Sequence, residues 1–226
     1  MSRDILCDSS VLISLTSACL DNLLHFFAER NDVRFIIPPS VEYETVTRPM
    51  KNNLRKYLFS AMRIKDAIND GVVVIVDAKV EDRTRRVMDL ANNMFFIRGK
   101  PLRLLHFAES EMLALAKKLD IEYILIDERT TRMLMEAPYK LKGHFEKEFN
   151  VNVMINKKNY QELVSEISPL KALRSSELVM LAYENGYFKN FEKLEKEVIE
   201  AALYQMKYAG CSIGFDEINE YLKKVE

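Results

Sequence analysis

Residues 5–13 read ILCDSSVLI, an apolar run that stops at Asp8 and resumes after two serines. The segment Arg3–Cys7 predicts a short strand. The Ser9-Ser10 pair can cap a helix that begins near Val11, because serine side chains accept hydrogen bonds from the free amides of a first helical turn. A strand, a tight turn and a helix are therefore expected here.

The order of strand followed by helix recurs along the chain. Apolar or β-branched runs predict further strands, and segments with helical spacing, most clearly Phe107–Leu119, lie between them. Strands are predicted at residues 33–37, 72–76, 123–126 and 151–155, and further helices near residues 40–45, 51–68 and 130–136. This alternation predicts the α/β class, as an α/β/α sandwich with a mostly parallel central sheet.

The chain divides into two parts by its strand content. Strand patterns end near residue 156, and beyond it the helical spacing is broken at Pro169, Gly186 and Gly210. We therefore predict an α/β domain at residues 1–156 and a helical C-terminal extension at residues 157–226. The apolar stripes of the extension must be buried, so we expect them to pack on the α/β domain, with a homodimer contact as the alternative.

Composition narrows the class of protein. A formal net charge of −1 gives no overall attraction to nucleic acid, so such binding depends on local patches. Three cysteines without C-x-x-C spacing indicate neither a disulfide framework nor a zinc site. No run approaches the roughly 20 apolar residues of a membrane helix, and the N-terminus carries charges unlike a signal peptide. We therefore expect a cytoplasmic protein without a membrane partner.

Acidic residues lie where predicted strands end and predicted helices begin. Asp8 follows one strand, Asp127 and Glu128 follow another, and Glu44 and Glu111 lie early in helices. In a parallel sheet these positions share the carboxyl edge, where α/β proteins bind ligands. Carboxylates that converge repel one another unless a cation lies between them, and all-oxygen ligands favour Mg²⁺ or Mn²⁺. Such an ion can activate water for attack on a phosphodiester.

Each of these acids has a simpler interpretation when taken alone. A carboxylate after a strand is more often a helix cap, and a glutamate on a helix is usually solvated. The metal hypothesis therefore depends on their joint placement. Glu42 and Glu109 lie two residues from Glu44 and Glu111 and are ranked below them, because helix residues two apart point to different faces.

Four blocks of the sequence resemble PIN-domain nucleases of the VapC-like, archaeal and bacterial type. They read ILCDSSVLI at residues 5–13, PSVEYE at 39–44, AESEMLALA at 108–116 and YILIDER at 123–129. The resemblance spans residues 3–155. It implies a PIN fold and an Mg²⁺- or Mn²⁺-dependent endoribonuclease acting on single-stranded RNA.

The resemblance also implies a set of site residues. Metal ligands and catalytic acids would be Asp8, Glu44 and Glu111, with Asp127 or Glu128 as the fourth, and Ser10 would support Asp8. The chain departs from the family in two places. Glu111 stands where many members have Asp, and the Asp127-Glu128 pair stands where many have a single Asp, so the choice between those two stays open.

A basic stripe predicts where RNA binds. Residues 48–65 carry cations without one acidic residue, namely Arg48, Lys51, Arg55, Lys56, Arg63 and Lys65, and Arg129 follows the acidic strand end. These cations can hold phosphates of single-stranded or structured RNA while Tyr57, Phe95 and Phe96 stack on bases. The alternative is that the basic helix is solvated and that the two phenylalanines belong to the core.

Two kinds of function remain open at this point. An endoribonuclease can serve as the toxin of a toxin-antitoxin pair, with an antitoxin protein as partner, or as an RNA-processing enzyme. A different class is a non-catalytic PIN-like nucleic-acid-binding or scaffold module. The set of acids favours the enzyme.

Overall fold

The computed structural model describes residues 3–30, 33–167 and 170–225. At its centre five strands form a sheet in which every paired neighbour is parallel. The strands are β1 (Arg3–Cys7), β2 (Val33–Ile37), β3 (Val73–Ile75), β6 (Tyr123–Leu125) and β8 (Lys171–Leu173), in the order β3-β2-β1-β6-β8. The predicted α/β class with a parallel central sheet is confirmed.

Helices cover both faces of this sheet. Leu6 and Cys7 of β1 are fully buried in different apolar clusters, because successive strand residues point to opposite faces. The Cys7 face is covered by α1 (Ser9–Ser17), α2 (Asn22–Arg30), α5 (Arg55–Asn69), α11 (Ser175–Glu184), α12 (Glu195–Ala209) and α13 (Phe215–Leu222). The Leu6 face is covered by α6 (Glu81–Asn92), α7 (Phe107–Leu119), α8 (Arg129–Glu136), α9 (Pro138–Phe149) and α10 (Lys157–Ile167). The α/β/α sandwich is thereby complete.

The helical segment after β2 changes its hydrogen-bonding type twice. It starts as α3 (Pro39–Glu42), continues as a turn of π-helix (Tyr43–Thr47) and ends as α4 (Arg48–Lys51). Asn53 then adopts a positive φ of 48°, so the next helix begins at Arg55 and not at residue 51 as predicted. A 3₁₀ segment (Lys189–Leu194) precedes α12.

A second, smaller sheet lies outside the central one. It consists of β4 (Phe95–Ile97), β5 (Lys100–Pro101) and β7 (Val153–Ile155), in the order β5-β4-β7 with antiparallel pairing. The strand predicted at residues 151–155 is present as β7, but the expectation that it is the fifth strand of the central sheet is wrong. Val153 is buried whereas Met154 is 56% exposed, which is the alternation of an antiparallel strand with one solvated face.

The fifth parallel strand comes instead from the C-terminal part of the chain. β8 pairs with β6 through Ala172 and Ile124, so residues 157–226 are not purely helical. Leu178 on α11 and Leu203 on α12 are buried in the same cluster as Val11 of α1. The C-terminal part therefore packs on the α/β domain, while the boundary between residues 156 and 157 stays a prediction. Pro169, one of the predicted breaks, lies outside the described residues.

Within the described ranges, no single helix has the length and apolarity to cross a membrane. The α1–α2 pair, bent by 112°, passes such a test together, by length and composition only.

Candidate functional site

Asp8 occupies the junction between β1 and α1, as the sequence predicts. Its carboxylate caps α1, accepting hydrogen bonds from the Ser10 amide at 3.0 Å and from the Ser10 hydroxyl. Only 5% of the residue is exposed. Burial raises the pKa of Asp8 to about 6; the hydrogen bonds from Ser10 lower it, and the negative charge of Glu109 raises it. The fold thus holds the Asp8 carboxyl group in a position where its ionisation is unfavourable.

Two glutamates extend the negative charge beyond Asp8. Glu44 lies in the π-helical turn, an irregularity that is frequent at functional sites, and accepts a hydrogen bond from the Ser9 hydroxyl at 3.0 Å. Glu109 lies in the first turn of α7 and accepts from the His106 amide at 3.0 Å. Burial raises the pKa of Glu109, and the charge of Glu44 raises it further. Asp8, Glu44 and Glu109, hereafter the acidic cluster, are therefore electrostatically linked.

Glu111, predicted as a metal ligand, ties two helices together in the structure. Its carboxylate accepts a hydrogen bond from the Ser40 amide at 3.1 Å, which joins α7 to the start of α3. The charge of Glu109 raises the pKa of Asp8, and the charge of Glu44 raises the pKa of Glu109. By these interactions Glu109, which was ranked below Glu111, belongs with Asp8 and Glu44, while the choice of Glu111 as a ligand stays a prediction.

Asp127 and Glu128 both act as helix caps. Asp127 is fully buried and accepts from the Ser175 amide at 2.8 Å and the Ser175 hydroxyl at 2.9 Å. Glu128 accepts from the amides of Thr130 at 2.7 Å and Thr131 at 2.6 Å at the start of α8. Asp127 and Glu128 therefore each have hydrogen-bond partners outside the acidic cluster. This agrees with the simpler interpretation, in which a carboxylate after a strand satisfies the amides at the start of a helix.

One link joins Asp127 to the acidic cluster. The Asp127 amide donates to the Ser10 hydroxyl at 3.1 Å, and that hydroxyl donates to Asp8. Ser10 therefore bridges the ends of β6 and β1, which agrees with the supporting role predicted for it. The second carboxylate oxygen of Asp127, Oδ2, is buried and has no hydrogen-bond partner among the described residues.

The acidic cluster suits a hard divalent cation by its chemistry. It offers three carboxylates, two of which have raised pKa values, and Mg²⁺ and Mn²⁺ prefer oxygen ligands and offset such charge. Its side chains are not arranged as a closed coordination sphere. No group of three or more His, Cys, Asp or Glu in the described part of the chain is placed to hold a metal ion.

A cleft of about 590 Å³ opens beside the acidic cluster. Ser10 and Glu44 line it on the side of the acids, and residues from three separate segments complete it. These include Ser14 and Ser17 of α1, Arg48, Lys56 and Tyr57 of the basic stripe, and Tyr208, Ala209 and Gly210 at the end of α12. We call this space the substrate cleft. The sequence did not indicate that α12 contributes to it.

The substrate cleft separates the predicted RNA contacts into two groups. Arg48 and Lys56 line it, and neither forms an ion pair with any residue that the structure describes. Arg55 and Arg129 are exposed but are not among its lining residues. Phe95 is fully buried, so its predicted stacking on a base is wrong, and the alternative that it belongs to the core is confirmed.

Comparison with known proteins identifies one family. Residues 4–138, more than half of the chain, match a family model described as PIN domain. The match contains the whole acidic cluster and ends before β8, α11 and α12. Neither the curated proteins nor the solved structures include a match to the chain.

Proposed function

Because the chain belongs to the PIN-domain family, whose members are generally nucleases, we propose that it is a metal-dependent endoribonuclease that hydrolyses phosphodiester bonds of single-stranded RNA. One observation carries the proposal. Glu44, from the acidic cluster, lines the same cleft as Arg48 and Lys56, which form no ion pair with any described residue. Asp8 is joined to this cleft through Ser10, whose hydroxyl donates to it. Cations that bind phosphates beside acids that can bind a metal suit metal-assisted phosphodiester hydrolysis.

In the proposed mechanism each residue has a distinct task. Asp8, Glu44 and Glu109 would hold Mg²⁺ or Mn²⁺, while Ser10 and Ser9 orient the first two carboxylates through hydrogen bonds. When bound, the ion supplies a water of lowered pKa and positive charge beside the phosphate. Arg48 and Lys56 would bind the flanking phosphates and position the strand.

The same proposal extends to the wider role of the protein. We place the protein in the cytoplasm as a VapC-like enzyme, acting either as a toxin with an antitoxin partner or in RNA processing, with a homodimer as its proposed assembly. The alternative function is a non-catalytic binding or scaffold module. It is favoured by the open arrangement of the acidic side chains in the described ranges.

Cleavage should depend on a divalent metal. We expect the protein to cut an end-labelled unstructured RNA with Mn²⁺ or Mg²⁺, to spare the stem of an RNA hairpin, and to lose all activity in EDTA, because without the ion no water is activated for attack on the phosphodiester. Gel electrophoresis of the products measures this, and calorimetric titration with Mn²⁺ measures binding. Mn²⁺ binding without cleavage of any RNA would refute the proposed nuclease activity. A protein that neither binds Mn²⁺ nor cleaves RNA would support the non-catalytic module.

The salt dependence of RNA binding should distinguish Lys56 from its neighbour. Each phosphate contact on single-stranded nucleic acid contributes about 0.7 to the slope of log K against log salt concentration. We expect Lys56→Gln to reduce the slope by about that amount. Arg55→Gln removes the same charge one residue away, outside the lining of the cleft, and should leave the slope unchanged. Equal effects of the two variants would mean that the cleft does not bind the phosphates.

A further inference from the structure

Tyr208 is a large aromatic side chain exposed in the substrate cleft. It belongs to α12, outside the residues that match the family model, and 72% of it is exposed. It lines the same cleft as Glu44 and Lys56. An exposed aromatic ring in a cleft that also contains cations is a candidate stacking surface for a base of single-stranded nucleic acid.

The ring of Tyr208 is held in place from one side only. It stacks on Tyr204, one helical turn earlier, with the ring centroids 6.4 Å apart and an angle of 27° between the rings. Tyr204 in turn packs on Phe215, with centroids 5.9 Å apart. This aromatic column flanks the Tyr208 ring, and the high exposure of the residue leaves most of the ring accessible. Such preorganisation lowers the entropy cost of binding a flat ligand.

The position of α12 relative to the cleft is fixed by packing. Leu203 and Met206 on this helix are fully buried in the core cluster that includes Val11 of α1. The helix ends at Gly210, where an added Cβ would lie 3.9 Å from the Ser14 hydroxyl oxygen of α1. The end of α12 thus contacts the helix that Asp8 caps. Tyr208 is therefore tied to the same framework as the acidic cluster.

Charge is distributed unevenly across the cleft. Arg48 and Lys56 provide positive charge, and the Lys56 ammonium also lies 5.3 Å from the centroid of the Tyr57 ring. The Tyr208 side of the cleft differs, because it presents an exposed aromatic ring and the neighbouring cation Lys207 already donates to the Ile213 carbonyl oxygen at 2.6 Å. A phosphate is therefore favoured beside Arg48 and Lys56, which form no ion pair with any described residue. An unpaired base, which is flat and uncharged, suits the Tyr208 side.

We propose that Tyr208 is a stacking platform for an unpaired base of the RNA whose phosphates contact Arg48 and Lys56. The inference rests on the proposed function and assigns to the C-terminal part of the chain the recognition of single-stranded substrate. A base in a duplex has both faces covered by its neighbours, whereas a single-stranded base can offer one face to the ring.

Binding of a fluorescent single-stranded RNA in EDTA, followed by anisotropy, tests the proposal without cleavage. We expect Tyr208→Ala to weaken binding about five-fold or more, Tyr208→Leu to weaken it similarly, and Tyr208→Phe to bind as the wild type does, because stacking needs the ring and not the hydroxyl. Tyr139→Ala is the matched control, since Tyr139 is 69% exposed and does not line the cleft. Thermal melting checks that each variant is folded.

A strand with abasic nucleotides separates stacking from other effects. It keeps the phosphates but offers no ring, so Tyr208→Ala should bind it as the wild type does. An equal loss on the abasic strand, or no loss on normal RNA, would overturn the stacking inference and leave the nuclease proposal standing. Wild type that binds no RNA in EDTA would also overturn it, and cleavage with Mn²⁺ then decides separately whether the nuclease proposal fails.

Discussion

Replacing Asp8 with asparagine is expected to abolish metal-dependent RNA cleavage and, at the same time, to stabilise the metal-free protein at neutral pH. Asn cannot supply the negative charge that a divalent cation requires. Replacing groups that only orient a metal ligand costs about 10- to 100-fold, so loss of a ligand should cost at least about 100-fold. Most loss-of-function substitutions of buried residues destabilise a protein. Asp8→Asn is expected to raise the free energy of unfolding instead, because the charge that it removes is buried and close to another acid.

The pKa of Asp8 gives the size and direction of the stability change. Its pKa is raised by burial from 3.8 to about 6, so above pH 6 the folded protein carries a charge that the unfolded chain accommodates more easily. At about 1.4 kcal/mol for each pKa unit, ionisation costs the fold on the order of 3 kcal/mol. Between pH 4 and pH 6, roughly, the folded state binds more protons than the unfolded state, so wild-type stability falls as pH rises through this window.

Urea unfolding in EDTA at several pH values measures this effect. The free energy of unfolding of Asp8→Asn should exceed that of the wild type at pH 8, and the difference should shrink toward pH 4. Asp4→Asn is the matched control on the same strand, because Asp4 is paired with Arg34 at the surface. It should leave cleavage unchanged and should not reproduce the stabilisation. Asp8→Asn with full activity, or with lower stability at pH 8, would contradict the role assigned to Asp8.

Local sequence patterns predicted the helices and strands whose own residues carry a clear apolar spacing. The helix Phe107–Leu119 has the predicted bounds because its apolar residues repeat with helical spacing along its whole length. β8 could not be found in this way. The sequence Lys171–Leu173 contains no β-branched residue, and only its position beside β6 makes it a strand.

The acidic cluster could be predicted only in part for a related reason. Asp8 follows from the end of a strand, and Glu44 from the start of the helical segment after the next strand. The choice between Glu109 and Glu111 could not be made from the bounds of α7, which the sequence predicts, because it depends on how that helix packs against the segment that carries Glu44. The cap that Asp127 provides to Ser175 joins residues 48 positions apart and depends on tertiary structure. The same holds for Tyr208, since no local pattern relates it to Glu44.

The pair Glu109→Gln and Glu111→Gln tests the revised acidic cluster. Both substitutions replace a glutamate with its neutral isostere on one helix, two residues apart, and in both the amide oxygen can still accept the backbone hydrogen bond from His106 or Ser40. Of the two, Glu109 is the one whose charge raises the pKa of Asp8 and whose own pKa is raised by the charge of Glu44. We expect Glu109→Gln to lower cleavage at subsaturating Mn²⁺ by at least about 100-fold. Glu111→Gln should retain nearly all activity.

Stability measurements complete the comparison, because substitutions of Glu111 should affect stability whereas those of Glu109 should affect metal binding. Removing the cap entirely with Glu111→Ala leaves the Ser40 amide without its acceptor and should cost about 1 kcal/mol of unfolding free energy. Its cleavage should stay close to wild type as long as the protein is folded. Glu109→Gln should instead lose Mn²⁺ affinity in a calorimetric titration while melting near the wild-type temperature. If Glu111→Gln were the inactive variant, the metal would have to approach Ser40, and the acidic cluster defined by Asp8, Glu44 and Glu109 would be wrong.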